Sequence, residues 1–202
     1  MKKINVLLFE NFETLDAFGP AEILGHTGEY ELVYFSLNGG IVKSFQGIDV
    51  GTKNVKEINK EGILLVPGGR GVREKINDVI FLNTVKELAE KSSFCLSVCT
   101  GSALLAKCEI LTNKKATSNK MAMNWVKTLN KNVRWIDKAR WVVDGKFYTS
   151  SGVSAGMDMA LGFISNMHGK DKAVYISNII EYIWNSDSED DIFFEINKQY
   201  SV

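Results

Sequence analysis

Phe94-Cys95-Leu96-Ser97-Val98-Cys99-Thr100-Gly101-Ser102-Ala103-Leu104-Leu105-Ala106-Lys107 is the stretch on which the fold turns. It opens as a short apolar run, breaks at small residues, and resumes with apolar side chains at helical spacing, which reads as strand, sharp turn and helix. The same grammar recurs to either side. Ile4–Phe9 and 31–36 read as strands, with a helix over 20–26 in which Pro20 takes a first helical position after Gly19. Ile63-Leu64-Leu65-Val66 is a buried strand stopped by Pro67-Gly68-Gly69, and Val79, Leu82, Val85, Leu88 and Ala89 mark the helix of residues 78–90. Residues 40–52 read as an extended excursion away from the core.

Downstream, residues 122–129 read as helix and 133–136 as strand. Trp141-Val142-Val143 and Phe147-Tyr148-Thr149 flank Asp144-Gly145, a hairpin signal. Met157, Ala160, Leu161 and Ile164 place a helix over 155–167, and Ala173, Ile176, Ile180 and Ile183 predict a last long one. The stretch from Ser186 to Asp191 reads as an acidic, solvated turn before a short terminal segment. Apolar strands without polar alternation, interleaved with helices, demand a parallel sheet covered on both faces. The expected fold is α/β, a three-layer α/β/α sandwich with a mostly parallel sheet, formed by residues 1–202 as a single domain.

Composition agrees with a packed domain. The chain has 202 residues, 45% of them apolar and 24% charged, with 24 Lys+Arg against 24 Asp+Glu. Zero net charge offers no field for nucleic acid or anionic lipid, so neither is expected as a partner. No apolar run is long enough for a bilayer span, and the N-terminal run is interrupted by Asn5 and ended by Glu10, unlike a signal peptide. Three sparse cysteines, Cys95, Cys99 and Cys108, suit a reduced compartment, and the expected location is cytoplasmic.

In open α/β sheets ligands bind beyond the carboxyl ends of the strands. Cys99 sits at such an end, two residues before a helix whose free N–H groups and positive dipole end favour a thiolate. Small residues follow it, as in a nucleophile elbow. The Thr100 N–H would face an oxyanion on a substrate bonded to Cys99, and Gly69, after the neighbouring strand, offers a second N–H. The alternative reading of Cys99 is a buried structural thiol. Asp16, between Leu15 and Phe18, is either a partly buried loop carboxyl able to donate a proton or a carboxylate that favours the start of a helix. Cys95 and Cys108 read as packing residues, and His26 and His168 as cations at helix C-termini. No metal-ligand spacing, dinucleotide fingerprint or Walker loop is present, so neither metal nor cofactor is expected.

Several blocks in order resemble the ThiJ/PfpI family of the class I glutamine amidotransferase-like superfamily, over nearly the whole chain. They are Val6-Leu7-Leu8-Phe9, Leu15-Asp16 with Gly19-Pro20-Ala21-Glu22, Val66-Pro67-Gly68-Gly69, Ser97-Val98-Cys99-Thr100-Gly101-Ser102, Ala116-Thr117-Ser118, Ser150 to Asp158, and Ile180-Glu181-Tyr182-Ile183-Trp184. The resemblance is nearest to isonitrile hydratases and to members labelled intracellular protease/amidase. It implies a flavodoxin-like sandwich, a homodimer, a small-molecule substrate, and a site made of Asp16, the nucleophile Cys99 and Thr100. Many relatives have a histidine where this chain has Asn119; asparagine cannot act as a base, so a Cys–His peptidase mechanism lacks its partner. Three functions follow as expectations: a cysteine-dependent hydratase or amidase-type hydrolase, a redox sensor that uses a low-pKa Cys99, and the ligand-sensing domain of an AraC-type regulator. The last would need a helix-turn-helix that these residues do not contain.

Overall fold

The computed structural model describes residues 1–198, so the last four residues of the expected domain, 199–202, lie outside the described residues. In chain order the strands are β1 (Lys2–Leu7), β2 (Tyr30–Ser36), β3 (Asn38–Lys43), β4 (Asp49–Asn54), β5 (Ile63–Val66), β6 (Cys95–Ser97), β7 (Lys115–Ala116), β8 (Arg134–Trp135), β9 (Trp141–Asp144) and β10 (Phe147–Ser150). The helices are α1 (Thr14–Gly25), α2 (Val72–Lys75), α3 (Val79–Lys91), α4 (Gly101–Lys107), α5 (Met123–Leu129), α6 (Ala155–His168), α7 (Lys170–Ile179) and α8 (Phe193–Lys198).

Eight strands form one sheet in the order β3-β4-β2-β1-β5-β6-β10-β9. All neighbours are parallel except the edge pairs β3–β4 and β9–β10. Helices α1, α6 and α7 pack together, and α2 to α5 form a second group, so two helical layers enclose the sheet. This is the mostly parallel, flavodoxin-like α/β sandwich. Burial on both faces explains the missing alternation: all four residues of β5 are buried, as are Ile4 to Leu7 of β1. Between α6 and the sheet, Phe163 meets Tyr148 and Phe94 edge-on, with ring centroids 5.2 and 5.3 Å apart.

Four expectations need correction. Helix α1 begins at Thr14, six residues ahead of Pro20, which lies inside it. Its first amides are satisfied from outside the helix, with Glu13 N donating to the Gly68 carbonyl (2.9 Å) and Thr14 N to Gln46 Oε1 (3.1 Å). The helix therefore starts without a side-chain cap on Glu13 to announce it. Residues 40–52 are extended, but they belong to the main sheet as its β3–β4 edge, and Val42 is buried. The last long helix stops at Ile179; Glu181 takes a left-handed conformation (φ 50°) and leaves Ile183 93% exposed. Residues 134–135 do form a strand, but it pairs with β7 in a separate two-stranded sheet.

The chain after β1 passes to one side of the sheet, through β2, and the chain after β5 to the other. The sheet thus reverses its order beside β1, and the crevice there lies beyond the carboxyl ends of β1, β5 and β6. Asp16, Gly68 and Cys99 follow those three strands.

Candidate active site

Cys99 occupies the turn between β6 and α4 with φ 56°, a left-handed conformation unusual for a residue with a side chain. The surroundings hold it there. Its N–H donates to the Ser151 carbonyl (3.0 Å), and its own carbonyl accepts from the hydroxyls of Ser118 (2.9 Å) and Ser102 (3.1 Å). Hydrogen bonding from the Thr100 N–H, the Asn119 side-chain amide and the Val153 N–H favours its thiolate, and the Asp16 carboxylate opposes it. Asn119 is oriented for this contact, because its Oδ1 accepts from Ala122 N (3.1 Å) and leaves its NH₂ for the sulfur. A side chain on Gly152 would collide with that NH₂, 2.8 Å from where a Cβ would stand.

Asp16 lies in the first turn of α1 and is fully buried. Its Oδ2 accepts from Gly68 N (2.9 Å), while Oδ1 is buried with no hydrogen-bond partner among the described residues. Burial pushes the Asp16 carboxyl up to about 7, with the Gly68 N–H opposing and Glu13 adding to the rise. Asp16 thus lies inside the first turn of the helix and not in a loop before it, with its carboxyl buried. Gly68 must be glycine, since a Cβ would stand 2.6 Å from both Thr100 N and Thr100 Oγ1 and 2.9 Å from Asp16 Oδ2.

Two expectations about the chemistry fail. The resting thiol is not activated: Cys99 is buried, and burial, together with the Asp16 carboxylate, pushes it well above its ordinary value despite the three N–H donors. Helix α4 is only seven residues long, and its dipole does not outweigh the lost solvation. Nor is the Gly69 N–H a free oxyanion donor, because it donates to Thr100 Oγ1 (3.1 Å) and fixes that hydroxyl instead. Cys95 is buried in β6, and the Cys108 thiol donates to the Leu82 carbonyl (3.2 Å). All three cysteines are free, and no cluster of candidate metal ligands occurs among the described residues. No helix among them is long and apolar enough to cross a membrane.

Asn119 and Val153 enter the site as donors to sulfur that residue type alone did not mark. The signal was positional: each lies in or beside a block of the family pattern. The DJ-1/PfpI family model matches residues 2–166. The chain belongs to the DJ-1/PfpI family. It is 29% identical to the isonitrile hydratase of Pseudomonas putida over 181 residues, which cover 89% of this chain and 78% of that protein. It is 25% identical over 193 residues to the HTH-type transcriptional regulator GbdR of Pseudomonas aeruginosa, covering 90% of this chain and 51% of the regulator. Among solved DJ-1/PfpI folds, a ThiJ/PfpI family protein from Pseudomonas syringae superposes with a TM-score of 0.82 at 23% identity, over 90% of this chain and 75% of that one. Drosophila melanogaster DJ-1beta does so with 0.76 at 20% identity, over 91% and 99%.

The Asp16 environment has a measurable consequence for this DJ-1/PfpI chain. A carboxyl that holds its proton more tightly folded than unfolded stabilises the fold fully below about pH 4 and loses that contribution as pH rises through about 7. Urea titrations from pH 4 to 8 are expected to show wild-type stability falling relative to Asp16→Asn, by up to about 4 kcal/mol. Parallel curves for the two proteins would contradict the burial of an ionisable carboxyl.

Proposed function

We propose that the protein is a cysteine-dependent hydratase of small molecules, with an isonitrile as the substrate class. The observation that carries this reading is a buried carboxyl that titrates near 7, set against a protonated thiol whose sulfur lies among three N–H donors. That pairing suits addition of H–S across a carbon that must first accept a proton.

Asp16 in its acid form protonates the terminal carbon of R–N≡C. The Cys99 sulfur bonds to the resulting nitrilium carbon, and the thiol proton passes to the Asp16 carboxylate, which leaves R–N=CH–S–Cys99 and a restored acid. Water adds to the same carbon, with one of its protons going to nitrogen. The carbon–sulfur bond then breaks, sulfur takes the hydroxyl proton, and R–NH–CHO leaves. Thr100 N, Val153 N and the Asn119 amide stabilise the charge that collects on sulfur in that last step. The Thr100 hydroxyl, held by Gly69 N, keeps its O–H to orient the water.

Isonitrile hydratase activity in a 29% identical relative supports the reading, as does the neutral Asn119, which removes a Cys–His peptidase route. The redox-sensor alternative requires an accessible thiolate, and the burial of Cys99 speaks against it. The regulator alternative is supported by the likeness to GbdR, of which this chain covers about half.

The test is formamide production from cyclohexyl isocyanide, followed across pH 5 to 9 by the formyl proton signal. Because the acid form of Asp16 is required, kcat/KM is expected to be level below about pH 7 and to fall about tenfold per pH unit above it. A rate that climbs with pH would mean that the thiolate, and not the acid, limits the reaction.

A further inference from the structure

A cavity of about 370 Å³ opens between the loop that begins at Asn119, the loop that precedes α6, and the terminal helix α8. One of its wall residues, Ser151, accepts the Cys99 N–H at its carbonyl (3.0 Å), so the cavity lies against the turn that carries the thiol. The rest of the wall presents mostly apolar surface, with Met121 from the first loop and Phe193 and Ile196 from α8 standing beside Ser151, Ser154 and Asn197. Among the described residues Lys120 is the one cation lining it, and its Nζ is engaged with Thr117 Oγ1 (3.0 Å) and the Ala139 carbonyl (2.5 Å). What Lys120 presents to the cavity is therefore mainly its aliphatic stem.

The terminal helix is fastened in this position. Asp191 donates its N–H to the Lys138 carbonyl (2.8 Å), pairs with Arg140 (3.4 Å), and caps the helix by accepting from Phe193 N (3.1 Å). Arg140 N in turn donates to the Ser188 carbonyl (2.9 Å). Met121, Phe193 and Ile196 nevertheless stay exposed, at 78, 46 and 37%. Large apolar side chains gathered around a concave site beside a nucleophile are the usual make-up of a small-molecule subsite.

We propose that this cavity is the subsite for an uncharged, apolar substituent of the substrate, with Phe193 and Ile196 of α8 as its specificity-determining residues. It has room for on the order of ten heavy atoms, taking the roughly 30 Å³ that each water occupies in the liquid as the measure. The assignment rests on Cys99 being the reacting atom, and it narrows the substrate class to isonitriles with aliphatic or aromatic substituents and no charge.

Binding tests this without requiring turnover. N-cyclohexylformamide and its charged counterpart N-formylglycine are titrated into the protein and followed by NMR. The cyclohexyl ligand is expected to bind at least about tenfold more tightly than the charged one. Ile196→Trp, which fills the cavity, is expected to weaken it about tenfold, and Phe193→Ala several-fold, while Ile41→Ala at the exposed β3 edge leaves it unchanged. Equal affinity for the two ligands, or affinities that neither α8 variant alters, would overturn the subsite. So would a loss of self-association in Ile196→Trp with unaltered affinity, since the patch would then be a contact between copies of this chain. Hydration of cyclohexyl isocyanide is read separately. Selective binding without turnover rejects the hydratase reading alone, and turnover without selectivity rejects the subsite alone.

Discussion

Cys99→Ala is expected to lower the hydration of cyclohexyl isocyanide by about 10³-fold or more, because the carbon–sulfur bond that carries the reaction can no longer form. Asp16→Asn should cost roughly 10²- to 10⁴-fold, since an amide cannot deliver the first proton. The two losses should not add. Both groups act on the same carbon in one sequence, so the double variant should lie near the worse single variant. Stability separates chemistry from collapse. Cys99→Ala removes a small buried side chain that faces a carboxyl, and its urea midpoint should stay close to that of the wild type. Its Asp16 carboxyl should stay raised, since burial is its principal cause, and should move further up with the loss of the Cys99 thiol, which opposes the rise. Single-turnover mass spectrometry supplies a second check, as a wild-type adduct on Cys99 of substrate mass should be absent from the variant. Formamide production by Cys99→Ala within tenfold of wild type would remove the cysteine from the mechanism.

The strands and most helices were legible because burial on both faces writes itself as unbroken apolar runs. Ile63 to Val66 and the β6 run from Phe94 to Val98 are the examples, while the pair around Asp144-Gly145 was marked by its turn. Helix α1 was misread at its start because its buried face is made of Asp16, Gly19 and Pro20 as well as Ala17, Ile23 and Leu24, which leaves no apolar period to follow. Its amides are also satisfied by Gly68 and Gln46, so no local cap preceded them. The positions of Asp16, Cys99 and Thr100 at strand ends could be read from the chain, but their ionisation could not. A helix dipole is local and visible in sequence, whereas desolvation depends on everything packed around the thiol, and for Cys99 desolvation wins. Gly69 shows the same limit: its amide was placed in the right loop, yet which acceptor it meets is set by a threonine on another element.

The largest expected effect on stability falls at Asp158, one of the family-pattern residues that takes no part in the proposed chemistry. Its carboxylate is fully buried at the start of α6. Oδ2 accepts from Arg140 Nε (2.6 Å), and Oδ1 accepts from the Tyr182 hydroxyl (3.1 Å) and Asn185 N (3.0 Å). Its backbone carbonyl takes the Trp184 indole N–H (3.2 Å). The blocks around Met157-Asp158 and Glu181 to Trp184 thus meet in one polar knot, which holds the chain after α7 where Glu181 has already turned it. Asp158→Ala would leave the Arg140 guanidinium, itself nearly buried, with the 3.4 Å ion pair to Asp191 and a 3.5 Å hydrogen bond to Ser154 Oγ, and would orphan the tyrosine hydroxyl and the Asn185 amide. Breaking one side of a buried ion pair costs about 3–5 kcal/mol, so urea unfolding followed by circular dichroism should show a loss of that size. Replacing both partners, Asp158→Leu with Arg140→Met, would restore stability if the ion pair were all that mattered. Here recovery should be partial, since Tyr182 and Asn185 still lose their acceptor and Asp191, at the root of α8, loses its cation. Full recovery in the double variant would show that Asp158 serves Arg140 alone and that the Tyr182–Asn185 segment is held by its apolar contacts.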